Sequence, residues 1–240
     1  MLSVKELTVT YPNGTKAIDN LSFTIADGES AALVGANGAG KTSLLLALVG
    51  ILPFSGSISA DGFELTKNTA DRFRQKVSLV FQNPDDQLFM PTIGDDVAFG
   101  LRYRGIARDE TDRRVSAVLD NLHISHLKDR SPLILSGGEK RTAAIASVLA
   151  MEPSVLLFDE PTAFLDPRAR RNLITLVSGL SQTRLTATHD LLFAAETADR
   201  VIILKDGRLF TSGSAEEILF DKKLMEDADL EGIGVYRRGY

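Results

Sequence analysis

Hydrophobic and polar residues alternate through the first stretch of the chain. Leu7, Val9 and Tyr11 share one side, and Leu21, Phe23 and Ile25 repeat the pattern beyond Pro12-Asn13-Gly14. A period of two, interrupted by turn-forming residues, predicts half-buried strands joined by a tight turn. A further strand is expected around Ile58, next to Asp61-Gly62, a dipeptide suited to a hairpin turn. The N-terminal region therefore reads as an antiparallel sheet.

Other apolar runs are unbroken. Ala31-Ala32-Leu33-Val34 leads into glycines and then an apolar helix from Lys41; Val155-Leu156-Leu157-Phe158 ends in acidic residues; Leu185 to Thr188 ends in His189-Asp190. Continuous apolar strands alternating with helices predict a buried parallel sheet. Ligands of such sheets gather at the carboxyl ends of the strands, where these polar residues fall. Between about Pro84 and Leu135 the strand signals fade, and Val115, Val118, Leu119 and Leu122 recur at helical spacing. Another helix is expected from Lys140 through Leu149. The fold class is α/β. A nucleotide-binding core of mixed sheet and helices, with the antiparallel β region at its N-terminus, spans 1–240 as one domain. An α-helical subdomain is inserted at approximately 85–148.

Composition narrows the function. Apolar residues make up 44% of the 240 and charged residues 25%, an ordinary globular balance. Lysine and arginine number 27 against 32 acidic residues, a net charge of −5. That is the wrong sign for a nucleic-acid binder, whose footprint is basic. Cysteine is absent, which excludes disulfides, thiol catalysis and thiolate metal sites. Met1-Leu2-Ser3-Val4-Lys5-Glu6 has no basic stretch ahead of an apolar one, so no secretory signal is expected. The longest apolar run, Leu44 to Leu52, is broken by Gly50 and falls short of the roughly 20 residues that span a bilayer. Any membrane role is expected to come through a partner.

Three motifs carry chemistry. Gly35-Ala36-Asn37-Gly38-Ala39-Gly40-Lys41-Thr42, followed by Ser43, has the spacing of a phosphate-binding loop between strand and helix. Its glycines let backbone N–H groups turn toward phosphates, Lys41 reaches the β- and γ-phosphates, and the Thr42 hydroxyl is a Mg²⁺ ligand. Asp159, closing the second buried strand, is the expected acid for Mg²⁺. Glu160 beside it is placed to polarise an attacking water. Leu135-Ser136-Gly137-Gly138-Glu139 then opens a helix and offers a second set of N–H donors for an anion. Two phosphate-gripping surfaces far apart in sequence suggest a nucleotide held between two copies.

With these motifs in this order, the chain resembles the ATP-binding cassette (ABC) ATPases over nearly its whole length. The resemblance implies ATP and Mg²⁺ as cofactors and adds roles. Tyr11 stacks on adenine; Gln82 touches Mg²⁺ and water and has a part in catalysis, as do Glu160, His189 and Lys41; His189 contacts the γ-phosphate. Ser136, Gly137, Gly138 and Glu139 grip the γ-phosphate bound to the opposite protomer. Glu139 stands where the family more often has glutamine. Phe164, in Ala163-Phe164-Leu165-Asp166, is bulkier than the usual residue of the loop after the catalytic glutamate.

Phe81-Gln82-Asn83-Pro84-Asp85-Asp86-Gln87-Leu88-Phe89, Asp95-Asp96-Val97-Ala98-Phe99-Gly100 and Ala150-Met151-Glu152-Pro153 are similar to segments of energy-coupling-factor importers, especially their cobalt and nickel ATPase subunits. That likeness implies import of cobalt, nickel or a vitamin. It implies a homodimer or a heterodimer with a homologous ATPase, at the cytoplasmic face of the membrane. The partners are a transmembrane coupling protein and a substrate-binding membrane protein. Asp85 and Asp86, beside Leu88 and Phe89, are expected to receive an arginine-bearing helix of the coupling protein. Many such subunits carry a longer C-terminal extension than a chain ending at Tyr240, so that dimer-stabilising part is expected to be reduced. His123 and His126 lack an accompanying carboxylate or thiolate cluster and are expected to be exposed helix residues. Another ABC importer or exporter, a soluble ABC clamp and a phosphate-loop kinase are the alternatives. The clamp lacks its usual coiled-coil insert or second cassette here, and the kinase leaves Ser136-Gly137-Gly138 without a role.

Overall fold

In the computed structural model, which describes residues 1–233, the elements follow in chain order. They begin β1 (Leu2–Thr10), β2 (Lys16–Ile25), β3 (Ser30–Val34), α1 (Lys41–Leu48), β4 (Ser55–Ala60), β5 (Phe63–Glu64), α2 (Ala70–Arg74) and β6 (Val77–Val80). Helices α3 (Ile93–Tyr103), α4 (Arg108–Asn121) and α5 (Gly137–Leu149) come next, then β7 (Val155–Asp159), α6 (Pro167–Ser178), β8 (Thr183–Ala187) and α7 (Leu191–Thr197). The order closes with β9 (Arg200–Lys205), β10 (Arg208–Ser214), α8 (Ala215–Phe220) and α9 (Lys222–Asp227). Tyr240, and with it the expectation about the C-terminal end, lies outside the described residues. The described residues divide into two compact units, one of Met1–Leu79, Ser154–Glu160 and the residues from Leu180 on, the other of Val80–Pro153 and Pro161–Gly179.

The first unit holds two sheets. One is antiparallel, in the order β2-β1-β4-β5. Its alternation buries Leu7, Val9, Leu21 and Ile25, as the period of two requires. Tyr11 lies one residue past β1, its N–H donating to the Thr15 carbonyl at 2.9 Å across the Pro12-Asn13-Gly14 turn. Asp61 and Gly62 join β4 to β5 with φ of 49° and 76°, the left-handed pair that a two-residue hairpin needs.

The second sheet runs β10-β9-β3-β8-β7-β6. Strand β3 pairs in parallel with β8 and β9, and β8 with β7; β10 returns antiparallel on β9. Every residue of β3, β7 and β8 is buried. Strand β8 is the least apolar of the three, yet Arg184 is accommodated because its guanidinium donates to the carbonyls of Leu180 and Gln182.

The second unit is helical. Its core gathers Leu88, Ile93, Val97 and Leu101 with Val115 and Leu119 of α4 and Ala143, Ala144 and Ala146 of α5; Val118 and Leu122 pack partly buried against it. It extends beyond 85–148 at both ends and takes in α6, which Asp166 caps by accepting from the N–H groups of Arg168 and Ala169 at 2.8 Å each. Helix α5 begins at Gly137, three residues before Lys140. His123 sits in the left-handed region (φ 58°) past α4, and both it and His126 are exposed.

Asp96 is buried in this core. Its Oδ1 accepts from the N–H groups of Phe89 and Met90 at 3.0 Å each, while Oδ2 has no hydrogen-bond partner. Burial pushes its pKa up against those two bonds. The native state therefore holds its proton more tightly than the unfolded chain. Stability falls as pH rises from about the unfolded carboxyl value through the raised native one. Asp96→Asn keeps the accepting oxygen and removes the charge. It is expected to match or exceed the parent's stability at pH 7, by on the order of 1 kcal/mol, with the gain shrinking on acidification. Urea unfolding at pH 4 and pH 7 measures both; a variant less stable than the parent at pH 7 contradicts it.

Candidate functional site

The residues from Gly35 to Gly40 carry the chain from β3 into α1. Gly40, the residue preceding α1, has φ 103°, and a Cβ there would lie 2.4 Å from the Ala17 carbonyl oxygen. Both the backbone and the space therefore exclude a side chain. Gly35 and Ala39 are buried, while Ala36, Asn37 and Gly38 are exposed at the rim. Lys41, 8% exposed, folds back over the loop, its Nζ donating to the carbonyls of Gly35 at 2.7 Å and Ala36 at 3.2 Å. Burial pushes its ammonium pKa down, and the carboxylates of Glu160 and Asp159 pull it back up. Ser43, one turn into α1, has its Oγ 2.9 Å from the Tyr11 hydroxyl. That contact ties the residue expected at adenine to the phosphate loop's own helix.

At the end of β7, Asp159 Oδ1 accepts from the Thr42 hydroxyl at 3.2 Å. Two hard oxygen donors at this separation fit neighbouring corners of an octahedron about a Mg²⁺ ion, whose ligands at 2.0–2.1 Å stand about 3 Å apart. Glu160 is 8% exposed and held at φ 43°, a left-handed conformation unusual for a glutamate. Its N–H donates to Ala187 at 2.8 Å. Its Oε2 accepts from the His189 backbone N–H at 3.2 Å and lies 2.8 Å from His189 Nδ1. A carboxylate there makes Nδ1 the protonated nitrogen and leaves Nε2 free to act on a ligand. The imidazole is otherwise open, with 66% of its side chain exposed. One unit thus brings together Tyr11, the loop, Lys41, Thr42, Ser43, Asp159, Glu160 and His189.

The remaining expected residues belong to the helical unit. Ser136 caps α5 in a reciprocal box. Its Oγ accepts from the Glu139 N–H at 3.4 Å, and Glu139 Oε2 accepts from the Ser136 N–H at 2.9 Å and from its hydroxyl at 2.6 Å. Glycines 137 and 138 fill the first turn. This box is why α5 starts earlier than the apolar pattern alone indicates.

Gln82 is exposed just beyond β6. Two residues that sequence reasoning missed hold the backbone of Phe81 and Gln82. Arg141, 2% exposed, donates to the carbonyls of Phe81 at 2.7 Å and Gln82 at 2.5 Å. Gln87 accepts from the Phe81 N–H at 3.1 Å and donates to the Ala144 carbonyl at 2.7 Å. The available signal was an arginine at the head of the apolar run Ala143-Ala144-Ile145-Ala146, where only a paired charge can be buried.

The expected partner surface needs a correction. Leu88 is 6% exposed and part of the helical core, because the tight turn Pro84–Asp86 directs the chain inward there. It has no surface to give a partner. Phe89 is 63% exposed and meets Phe99 edge-on at 4.9 Å; Tyr103, one helical turn on, is 82% exposed. Asp85 is ion-paired to Lys140 at 2.6 Å, and Asp86 is exposed. Phe164 is 91% exposed at φ 63°.

Residues 18–163 match the ABC transporter family. The chain is 41% identical over 236 residues to the energy-coupling factor transporter ATP-binding protein EcfA of Methanothermobacter thermautotrophicus, covering 96% of this chain and 76% of that one. It is 40% identical to EcfA of Methanosphaera stadtmanae, covering 96% and 85%. Among solved structures it is similar to CbiO1 of Clostridium perfringens, part of the ABC transporter complex CbiONQ. The identity there is 36%, the TM-score 0.82, and the coverage 95% of this chain and 94% of that one. It is also similar, at 26% identity and TM-score 0.78, to an ATP-binding cassette solved as a dimer in a post-hydrolysis state with ADP and Pi, covering 90% and 99%. A phosphate loop, a paired acidic strand end and a capped glycine turn, in a fold shared over nearly the full length, leave one assignment: this chain belongs to the ABC transporter family, as an ATP-hydrolysing subunit.

Proposed function

We propose that the chain drives import through an energy-coupling-factor transporter, carrying a cobalt or nickel ion or a vitamin. In this reading it sits at the cytoplasmic face of the membrane, held by a coupling protein and a substrate-binding membrane protein. No helix among the described residues is long and apolar enough to cross a bilayer, so the partners supply the passage. The likeness to two EcfA proteins and to CbiO1 supports the import direction.

The observation that carries the chemistry is the line from Thr42 through Asp159 and Glu160 to His189, built on one sheet. The loop N–H groups and Lys41 take up the phosphates of ATP, for which Lys41 must exchange its loop carbonyls for phosphate oxygens. Tyr11 presents its ring to the adenine. Thr42, Asp159 and Gln82 are the residues that would hold Mg²⁺, which supplies charge neutralisation at the phosphates. Glu160 accepts a hydrogen bond from the water that attacks the γ-phosphorus and takes its proton as the bond to ADP breaks. His189, oriented through Nδ1, offers Nε2–H to the γ-phosphate once protonated. Ser136, Gly137 and Gly138 of a second copy, or of a homologue, complete the grip on that phosphate. Closure of the pair on two ATP pushes on the membrane subunits, and hydrolysis reopens it.

Glu160→Gln keeps the shape and the bonds to His189 but cannot take the proton. Steady-state ATP hydrolysis is expected to fall about 10²–10⁴-fold, while ATP binding, read by equilibrium dialysis, persists. Hydrolysis within about twofold of the parent would remove Glu160 from this role.

Asp85 and Asp86 with the exposed ring of Phe89 are the proposed seat of the coupling protein's arginine-bearing helix. Asp85→Ala with Asp86→Ala is expected to leave the isolated chain's ATPase activity nearly intact and to weaken co-purification with the membrane subunits. Breaking a partly desolvated charge pair costs about 2–5 kcal/mol. Undiminished assembly and uptake would make these ordinary surface acids.

A further inference from the structure

We propose that Glu139 is a positioning residue: it holds the proton of the Ser136 hydroxyl away from an incoming phosphate and so sets how much ATP is needed to close two copies. The inference rests on the reading that Ser136 meets a nucleotide carried by a second copy.

A serine hydroxyl has one proton, and an ionised carboxylate can only accept. Ser136 Oγ lies 2.6 Å from Glu139 Oε2, so the proton lies on that line and the hydroxyl donates to Glu139. The same Oε2 also accepts from the Ser136 N–H at 2.9 Å. Ser136 thereby spends two donors on one carboxylate. Those bonds, with the guanidinium of Arg130 beyond them, hold the Glu139 carboxyl below its usual range and keep it charged at neutral pH. A phosphate oxygen is likewise an acceptor without a proton to offer. Ser136 can serve it only by giving up a charge-assisted bond, and the phosphate must approach with a carboxylate one hydrogen bond away. A glutamine has the same reach and its Oε1 can take the same two donors, but that oxygen is neutral, so it holds the hydroxyl by an ordinary hydrogen bond that a phosphate displaces at lower cost.

The test measures ATP-driven dimerisation by light scattering in the Glu160→Gln background, with Glu139→Gln added. The ATP concentration at half-dimerisation is expected to fall by on the order of three- to tenfold, the size of one charge contact at an exposed site. The melting temperature is expected to stay within about 2 °C, because glutamine completes the same capping box. In a Ser136→Ala background, where there is no hydroxyl to release, the gain from Glu139→Gln is expected to shrink to the part that removal of the charge supplies by itself. An ATP midpoint that is unchanged or higher overturns the proposal. So does a gain of equal size without the Ser136 hydroxyl, since bare removal of charge would then explain it. Glu139→Ala provides a second variant of the same sign: its cap is lost and its melting temperature falls, yet its ATP midpoint drops. Absence of any ATP-dependent dimer in the Glu160→Gln protein itself is a separate result. It would sink the two-copy reading and this inference with it.

Discussion

The chemistry depends on the register of three parallel strands. Leu33 of β3 pairs with Ala187 of β8, and Ala187 with Asp159 of β7. That row fixes where each strand stops. Two residues past Leu33 the phosphate loop begins at Gly35; Asp159 is itself the end of β7; the chain leaves β8 at Thr188 and reaches His189. The Glu160 N–H on Ala187 and the Glu160–His189 contact join the neighbours β7 and β8, and the Thr42–Asp159 bond reaches across the end of β8 from the helix that follows β3. A slip of one residue on either side would turn Asp159 to the opposite face. Complete burial of all three strands is what enforces the register.

Local strain is concentrated at the same edge. Gly40 starts α1 from a left-handed conformation with no space for a Cβ, and Glu160 leaves β7 at φ 43°. A non-glycine residue in that region persists only where its surroundings over-determine it. Glu160 is held through its backbone N–H and by His189. In that conformation its carboxylate meets the backbone N–H and the imidazole of His189 at the end of the neighbouring strand. In the helical unit a different device does comparable work: Arg141 pins the backbone of Gln82, and the reciprocal cap fixes Ser136.

Much of this was legible in the sequence wherever a residue type has few alternatives. The glycine spacing from Gly35 to Gly40, the acids ending an apolar run at Asp159 and the Asp61-Gly62 turn each admit one local structure, and the structure has it. Leu88 was misjudged because a charged turn at Asp85-Asp86 reads as surface, while the Pro84 turn that rotates the next apolar residue inward is a three-dimensional effect. The start of α5 was set late because glycines 137 and 138 carry no helical preference. Only the pairing of Ser136 with Glu139 three residues on announces the cap. Arg141 and Gln87 were missed because their partners are backbone carbonyls and N–H groups, which leave no mark in the side-chain pattern. Arg184 inside β8 escaped notice for the same reason.

The central claim is that a working site takes its phosphate loop from one chain and its capped glycine turn from another. Mixing two inactive variants tests it directly. Lys41→Ala lacks the loop lysine and Ser136→Arg blocks the turn, so each alone should hydrolyse almost no ATP. A mixed pair retains one site with both parts intact. With random two-fold pairing, about half of the dimers are mixed and each keeps one of two sites, so an equimolar mixture should recover up to about a quarter of the parent ATPase rate. A mixture no more active than either variant by itself would contradict a site shared between two chains.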